Sequence, residues 1–223
     1  MQPFLVPSSF ERLVETYPTA DDLKAAIGQM RPAQVAWVAR LWISEGIPYA
    51  FSRAPVLYEI IRDWLAVRLG VCPKEITVVG SARIGYSLTP SVYYGRVFSP
   101  TSDLDLTVIS QSLFTRLGTA FEKWSADVST GNVFPKTEKD KRYWDDNLAR
   151  LPGNIDRGFV DEFRIPAPYH TVRHVMEHLV IKMIATPQAP KVRRASVRAY
   201  RDWDAFFRQQ GLNLSQLGKR LWC

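Results

Sequence analysis

The sequence predicts an α/β protein of the α+β kind, a single domain in which helices flank a small mixed sheet. Two short β-branched runs, ITVVG at 76–80 and LDLTVIS at 104–110, have the length and composition of strands. Amphipathic helical periodicity precedes and follows them. Hydrophobic residues make up 46% and charged residues 23% of the 223-residue chain. This composition is typical of a globular protein, and the length suffices for a sizeable core.

Residues 1–70 form a predicted helical N-terminal segment. Pro32 suits the first turn of one helix, and Pro55 opens another that Gly70 can end. Apolar side chains recur at helical spacing in both, so we expect them, the tryptophans included, to lie in the core. These side chains are Val35, Trp37, Val38, Leu41 and Trp42 in the first helix and Leu57, Ile60, Ile61, Trp64 and Leu65 in the second.

Residues 71–125 form a predicted strand–loop–strand core. The strand at 76–79 runs directly into Gly80, and the second strand opens at Ser102-Asp-Leu-Asp105. The insert between them, SLTPSVYYGRVFSPTS, is rich in turn-forming residues. Helical periodicity returns over Leu113–Trp124.

Residues 126–223 are predicted to be helical and basic, with one late strand. We expect helices over Lys139–Leu151 and His170–Ala185. The loop TPQAPK then leads to VRRASVRAY, whose composition can form a strand. A last helix is expected from Asp202 to about Gln210.

The histidines and cysteines do not predict a metal site or a disulfide. His170, His174 and His178 recur at i, i+4 and i+8, a spacing that can chelate a transition metal. They cluster opposite the apolar stripe of their helix, which indicates a face directed to solvent or to a partner. Cys72 and Cys223 lack metal-site spacing and a disulfide framework, so we expect a reducing, cytoplasmic location.

The charge of the chain favours polyanionic partners such as nucleotides or nucleic acid. The net charge is +7, and the sequence pI is about 9.5. The C-terminal part is either a solvated basic face or an electrostatic track for a triphosphate or a nucleic acid strand, with Tyr200 and Trp203 able to stack on bases. Its basic residues are Lys191, Arg193, Arg194, Arg198, Arg201, Arg208, Lys219 and Arg220. No apolar stretch approaches the ~20 residues of a membrane span, so no membrane partner is expected.

Two aspartates at the start of the second strand carry the strongest chemical signal. Side chains alternate along a strand, so Asp103 and Asp105 point to one face, roughly 6–7 Å apart. Carboxylates so placed can jointly bind hard cations, and two Mg²⁺ ions about 3.5–4 Å apart would suit both. The alternative is ion pairing with arginines such as Arg83 or Arg96.

The loop after the first strand can hold phosphates. Gly80 lets the backbone approach a ligand closely, and the N–H groups and hydroxyl at Ser81 supply hydrogen-bond donors. Arg83 adds a nearby cation. The loop and the two aspartates therefore predict a site for phosphates and for the metal ions that neutralise them.

The motif GSARIGYSL…SDLDLTVIS resembles the core of the DNA polymerase beta-type nucleotidyltransferase superfamily. The chain is similar to stand-alone bacterial members found in anti-phage defence and toxin modules. The resemblance implies a nucleotidyltransferase fold, phosphate contacts from Gly80 and Ser81, and metal binding by Asp103 and Asp105. The implied cofactor is a pair of Mg²⁺ ions, with Mn²⁺ as a substitute.

The resemblance also implies a third carboxylate on a later strand, and VRRASVRAY contains none. Asp202 follows that run, and Asp161 lies in GFVDEFRIP, a segment that could fold over the site as a loop. Both have ordinary alternatives, a helix N-cap for Asp202 and a turn residue for Asp161. The geometry of a loop favours Asp161 as the third metal ligand.

The implied activity is transfer of a nucleoside monophosphate from a triphosphate to a hydroxyl. The acceptor is a nucleotide, giving an oligonucleotide signal in anti-phage defence, a tRNA end, or a protein hydroxyl, as in toxins. Two other classes compete with this interpretation. One is a nucleic-acid-binding module without turnover. The other is an interaction protein that docks an effector or antitoxin on its aromatic N-terminal helices.

Overall fold

A computed structural model describes residues 3–90 and 93–219 of the chain, without the side chains of 218 and 219. Within these residues, four strands form one mixed sheet in the order β1-β2-β4-β3. β2 pairs antiparallel with β1 and parallel with β4, and β3 pairs antiparallel with β4. The predicted α/β class is confirmed. The strands are β1 (Ile76–Val79), β2 (Leu104–Ile109), β3 (Phe159–Asp161) and β4 (Ala195–Tyr200).

Helices surround the sheet in the part of the chain that the structure describes. The α-helices are α1 (Ala20–Gln29), α2 (Pro32–Val38), α3 (Pro55–Leu69), α4 (Ser81–Ile84), α5 (Gln111–Ser129), α6 (Glu138–Asp156), α7 (Val172–Ile184) and α8 (Trp203–Lys219). None of these helices combines the length and apolar character that crossing a bilayer requires.

The two faces of the sheet pack against different helices. Leu104, Leu106 and Val108 of β2 point to one face, where α3, α5 and α7 complete the larger core. Ile109 and Tyr200 point to the other face, where α1, α2 and α8 form a second core. The strand alternation therefore separates an apolar face from the face that carries Asp105.

The structure corrects the prediction for GFVDEFRIP. Phe159–Asp161 is the edge strand β3, not a loop, because it pairs antiparallel with Tyr200, Ala199 and Arg198 of β4. A run of three paired residues is too short to give a sequence pattern.

Helix boundaries also differ from the prediction. α6 continues past Leu151 through Pro152, and α8 extends well beyond Gln210 to Lys219. α7 begins at Val172, so His170 lies outside it.

The aromatic N-terminal helix is less buried than its periodicity predicts. Trp37 is 39% exposed and Leu41 53% exposed. α2 continues as a π-helical segment, Ala39–Ser44. A π-turn contains more residues than an α-turn, so side chains at α-helical spacing no longer share one face. On α3, Ile60 is also exposed, whereas Gly70 ends the helix in the left-handed conformation, as predicted.

Candidate active site

An open cavity of about 560 Å³ lies on the second face of the sheet, where β1 and β2 meet the loops. It is lined by four residues that the sequence singles out, Gly80, Ser81, Asp103 and Asp105. The sheet forms its floor, and α8 forms one wall. The structure thus brings the glycine–serine turn and the two aspartates to one place.

The backbone of Gly80 has a conformation that other residues rarely adopt, with φ 69° and ψ −150°. A Cβ atom at this position would lie 3.2 Å from Oδ2 of Asp105. Ser81 follows as the first residue of α4, whose first N–H groups have no acceptor within the helix. A glycine is therefore required both by the turn and by the close approach of the carboxylate.

Asp105 lies in the middle of the sheet. It pairs with Val79 of β1 and Ser196 of β4. The Ser196 hydroxyl donates a hydrogen bond of 2.9 Å to Oδ1 of Asp105. Burial raises the pKa of Asp105; the Ser196 hydrogen bond opposes this shift, and the negative charge of Asp103 adds to it. A nearby cation would relieve both the burial and the repulsion.

Asp103 is held by two arginines that the sequence analysis named only as members of the C-terminal basic stretch. Arg193 donates to both carboxylate oxygens, at 3.0 and 3.2 Å, and Arg194 donates to Oδ2 at 2.9 Å. Burial opposes ionisation of Asp103, but these hydrogen bonds and charges outweigh it and lower the pKa of Asp103. Ion pairing is thus present, with arginines other than Arg83 and Arg96.

The parallel pairing of β2 and β4 brings these groups together. The Leu104 N–H donates to the Arg194 carbonyl, and the Arg193 N–H donates to the Ser102 carbonyl, both at 2.9 Å. The side chains of Arg193 and Asp103 are 90 residues apart in sequence. Their contact follows from strand register, which the local sequence does not specify.

Arg83 does not belong to this cavity. Its side chain is buried and points away, donating to the carbonyls of Trp42 at 3.1 Å and Gly46 at 2.8 Å. Burial lowers the pKa of Arg83. The structure replaces the predicted nucleotide contact with a structural role: Arg83 ties α4 to the end of the π-helical segment.

Asp161 lies on the same sheet face as Asp105 but does not join it. Its strand is separated from β2 by β4, and it lies across from Thr107, two residues along from Asp105, which puts it roughly 12 Å from Asp105. Arg198 donates to Asp161 at 2.6 Å, and Arg164 lies 3.5 Å from its other oxygen. In the described residues no three His, Cys, Asp or Glu side chains form a metal-binding group. In this structure Asp161 is an arginine-bound carboxylate and does not lie beside Asp103 and Asp105, where the predicted third ligand would be.

Asp202 has the alternative role that the sequence analysis offered, that of a helix N-cap. Its Oδ1 accepts a hydrogen bond of 2.7 Å from the N–H of Ala205 in the first turn of α8, and its Oδ2 accepts one from Arg201. The α8 dipole and Arg201 both favour the ionised form, and the pKa of Asp202 is lowered, with the Ala205 hydrogen bond as the main cause. Asp202 is a helix cap.

Three further residues belong to the site or its floor. Arg96 and Arg198 line the cavity, and Ser196 contacts Asp105. The sequence considered Arg96 only as an ion-pair partner, and it placed Arg198 only in a basic stretch. Alternation within VRRASVRAY puts Ser196 and Arg198 on one face, which is the signal that could have found them.

The C-terminal basic stretch is largely paired. Arg193 and Arg194 contact Asp103, Arg198 contacts Asp161, and Arg201 contacts Asp202. The side chain of Lys219 and all of Arg220 lie outside the described residues, as does Cys223.

The aromatic residues of this stretch differ in access. Tyr200 is fully buried and has no face open for stacking on a base. Trp203 is 44% exposed, although one side of its ring stacks on Phe207 with the centroids 5.4 Å apart. Only Trp203 of the two predicted stacking residues can therefore meet a base.

The histidines do not form a common stripe. His174 and His178 are exposed on α7, as predicted, and His174 lies 3.3 Å from Glu177. His170 is half-buried before the helix, with Nε2 3.1 Å from the Ile165 carbonyl. Burial lowers the pKa of His170, which favours its neutral form.

Searches of protein-family models, curated proteins and solved structures find no match for the chain. Any functional conclusion therefore depends on the geometry of the cavity.

Proposed function

We propose that the chain is a metal-dependent nucleotidyltransferase, which moves a nucleoside monophosphate from a nucleoside triphosphate to a hydroxyl acceptor. One observation carries the proposal: Gly80, Ser81, Asp103 and Asp105 line a single open cavity. The glycine–serine turn offers backbone N–H donors for phosphate, and the aspartates line the same cavity, with Asp105 packed closely against Gly80.

The residues of the cavity would make separate contacts with the triphosphate. Gly80 and Ser81 would bind the terminal phosphates, and Arg96 and Arg198 would add positive charge along the cavity. The fixed groups orient the triphosphate so that the acceptor oxygen replaces pyrophosphate at the α-phosphorus. Positioning and charge neutralisation are the main sources of rate in this type of transfer.

The carboxylates suit a divalent cation. Asp103 and Asp105 supply oxygen ligands of the kind that Mg²⁺ and Mn²⁺ prefer. Once bound, the cation would neutralise phosphate charge and lower the pKa of the acceptor hydroxyl. Ser196 orients Asp105 through its hydrogen bond, so it supports the proposed metal site.

The test is incubation with labelled nucleoside triphosphates and Mg²⁺, with and without tRNA or protein acceptors, followed by mass spectrometry of the products. Asp103→Asn and Asp105→Asn should each abolish transfer while the chain stays folded by circular dichroism. Asp145→Asn, an exposed aspartate of α6, is the matched control and should retain full activity. Full activity in the Asp103→Asn/Asp105→Asn double variant would overturn the proposal.

A nucleic-acid-binding module without turnover is a second candidate. The ion pairs between Asp103 and its two arginines favour it, as does the absence, among the described residues, of a third metal-binding side chain beside Asp103 and Asp105. This candidate predicts RNA binding that weakens with salt and no product in the same incubation. A labelled product from the wild-type chain excludes it.

A further inference from the structure

The strand beside Asp105 carries a hydroxyl and a guanidinium on the cavity face. Ser196 pairs with Asp105 across the parallel β2–β4 ladder, and Arg198 pairs with Thr107, the next residue of β2 on the same face. Neighbours in a ladder project to the same side of the sheet. The position where β4 could offer a third carboxylate is therefore Ser196, and a fixed positive charge lies one step along the strand.

Arg198 is held firmly in this place. Its Nε donates a 2.6 Å hydrogen bond to Asp161, whose side chain is only 4% exposed. The guanidinium also lies 4.8 Å from the centre of the Phe159 ring. The Arg198 side chain is nevertheless 33% exposed and lines the cavity. It is thus a pre-positioned cation with access to a ligand.

These contacts bear on how many metal ions the cavity can hold. A pair of ions about 3.5–4 Å apart needs shared carboxylates to offset their mutual repulsion. Among the described residues, Asp103 and Asp105 are the carboxylates that line this cavity, and Asp161 is on β3, two strands away from β2. The guanidinium of Arg198 would further repel a second cation placed beside it. The residues fit one cation and do not fit two.

We infer, on the basis of the proposed function, that the site binds one divalent cation between Asp103 and Asp105, and that Arg198 contacts the triphosphate in place of a second ion. Asp161 is a positioning residue, because it acts on the substrate only through Arg198. An arginine suits this task, since its planar donors match two phosphate oxygens and its charge persists at all physiological pH values.

Electron paramagnetic resonance of Mn²⁺ measures the number of metal ions bound per chain, and the measurement does not depend on activity. The wild-type chain is saturated with a non-hydrolysable triphosphate analogue and titrated with Mn²⁺. We expect one bound ion per chain and a spectrum free of coupling between ions. Two coupled Mn²⁺ ions would overturn this inference and leave the proposed function standing. No bound Mn²⁺ would overturn both.

Replacement of Arg198 tests its contact with phosphate. Arg198→Gln would leave Asp161 buried without its partner, so the Asp161→Asn/Arg198→Gln double variant, which removes both charges, is the better choice. We expect its affinity for the analogue to fall about 10- to 100-fold, as for loss of charge-assisted hydrogen bonds, with the Mn²⁺ count unchanged. Arg150→Gln removes an exposed arginine paired with Asp146 and should keep wild-type affinity. Unchanged affinity in a folded double variant would overturn the role of Arg198.

A variant designed to bind a second metal ion provides the converse test. Ser196→Asp places a carboxylate on the cavity face directly beside Asp105. Combined with Asp161→Asn/Arg198→Gln, it removes the repelling guanidinium and adds the missing ligand. We expect this triple variant to bind a second, coupled Mn²⁺. A spectrum identical to that of the wild type would overturn the assignment of Ser196 and Arg198 as the residues that restrict the site to one ion.

Discussion

Asp105 is surrounded closely on several sides, and each neighbour restricts what it can do. The backbone of Gly80 leaves only 3.2 Å for an added Cβ on one side, and Ser196 donates a hydrogen bond on another. A carboxylate held this way cannot move aside when a neighbouring residue gains an atom. The positions next to Asp105 are therefore the most sensitive to substitution.

Gly80→Ala should destabilise the chain by about 1–3 kcal/mol, because its left-handed backbone disfavours a side chain and the new Cβ crowds Asp105. Triphosphate affinity should also fall, since the methyl group enters the space expected for phosphate. Thermal melting and calorimetry measure the two effects. Gly118→Ala in α5, where an added Cβ meets nothing within 4 Å, should instead be neutral or stabilising. Unchanged affinity in folded Gly80→Ala would remove this turn from the site.

Glu162 is a second buried carboxyl, with 3% of its surface exposed. Burial raises the pKa of Glu162 to about 7 from an ordinary value of 4.5, although Arg173 and the backbone N–H of Val197 oppose the shift. The folded chain therefore binds a proton more tightly than the unfolded chain does. Its contribution to stability is present below pH 4.5 and is lost as the pH rises to about 7.

Glu162→Gln should remove this pH dependence, because the amide stays neutral and its oxygen can still accept from Val197. Relative to the variant, the wild type should lose about 3 kcal/mol of unfolding free energy between pH 4.5 and pH 7.5. Urea unfolding across this range provides the measurement. Glu122→Gln, at an exposed glutamate of α5, serves as the control. Parallel pH profiles for wild type and Glu162→Gln would contradict the prediction.

At the scale of elements, β4 and α8 supply the part of the site that comes late in the chain. β4 carries Ser196 and Arg198 to the sheet face next to Asp105. α8 follows after a short turn capped by Asp202 and forms one wall of the cavity. The cap therefore determines where that wall begins.

Asp202→Ala should lower stability by about 1 kcal/mol through loss of the cap on α8. Mn²⁺ binding and triphosphate affinity should stay near wild type, because Asp202 caps α8 and does not line the cavity. Melting experiments and Mn²⁺ titration separate the two roles. Asp204→Ala, at an exposed residue of the same first turn, should cost less. Loss of Mn²⁺ in a folded Asp202→Ala chain would restore Asp202 as a ligand.

At the scale of the whole molecule, one face of the sheet packs entirely against helices, and the other face carries the cavity. The face with Leu104 and Leu106 is sealed by α3, α5 and α7. The opposite face is covered by α1, α2 and α8 only in part, and the uncovered end is the cavity. Substitutions that destabilise the two helical layers equally should therefore have unequal effects on ligand binding.

Leu117→Ala and Leu214→Ala form a matched pair, since each leucine is 1% exposed and they lie in opposite layers. Both should lose about 2–5 kcal/mol of stability because they leave cavities in a packed core. Only Leu214→Ala should weaken triphosphate binding, because Leu214 lines the cavity from α8. Calorimetry at low temperature, where both variants are folded, makes the comparison. Equal affinities would show that α8 is not a wall of the binding site.

The sequence by itself determined the features that depend on neighbouring residues. Alternation and β-branched composition indicated β1, β2 and β4, and proline and glycine marked the ends of α3. The Gly80-Ser81 turn and the Asp103/Asp105 pair were visible because each is a short motif whose geometry follows from local backbone rules. The α/β class follows from the same patterns.

Only the tertiary structure decided which distant residues meet. The local motif did not determine whether the Arg83 side chain points into the cavity or away from it. Tertiary packing turned it away, and it donates hydrogen bonds to the carbonyls of Trp42 and Gly46. Strand register, set by long-range pairing, brought Arg193 to Asp103 across 90 residues, put Ser196 beside Asp105, and put Arg198 between Thr107 and Asp161. A shift of one residue in β4 would turn Ser196 and Arg198 to the other face, which is why the third position of the site could not be deduced from the chain alone.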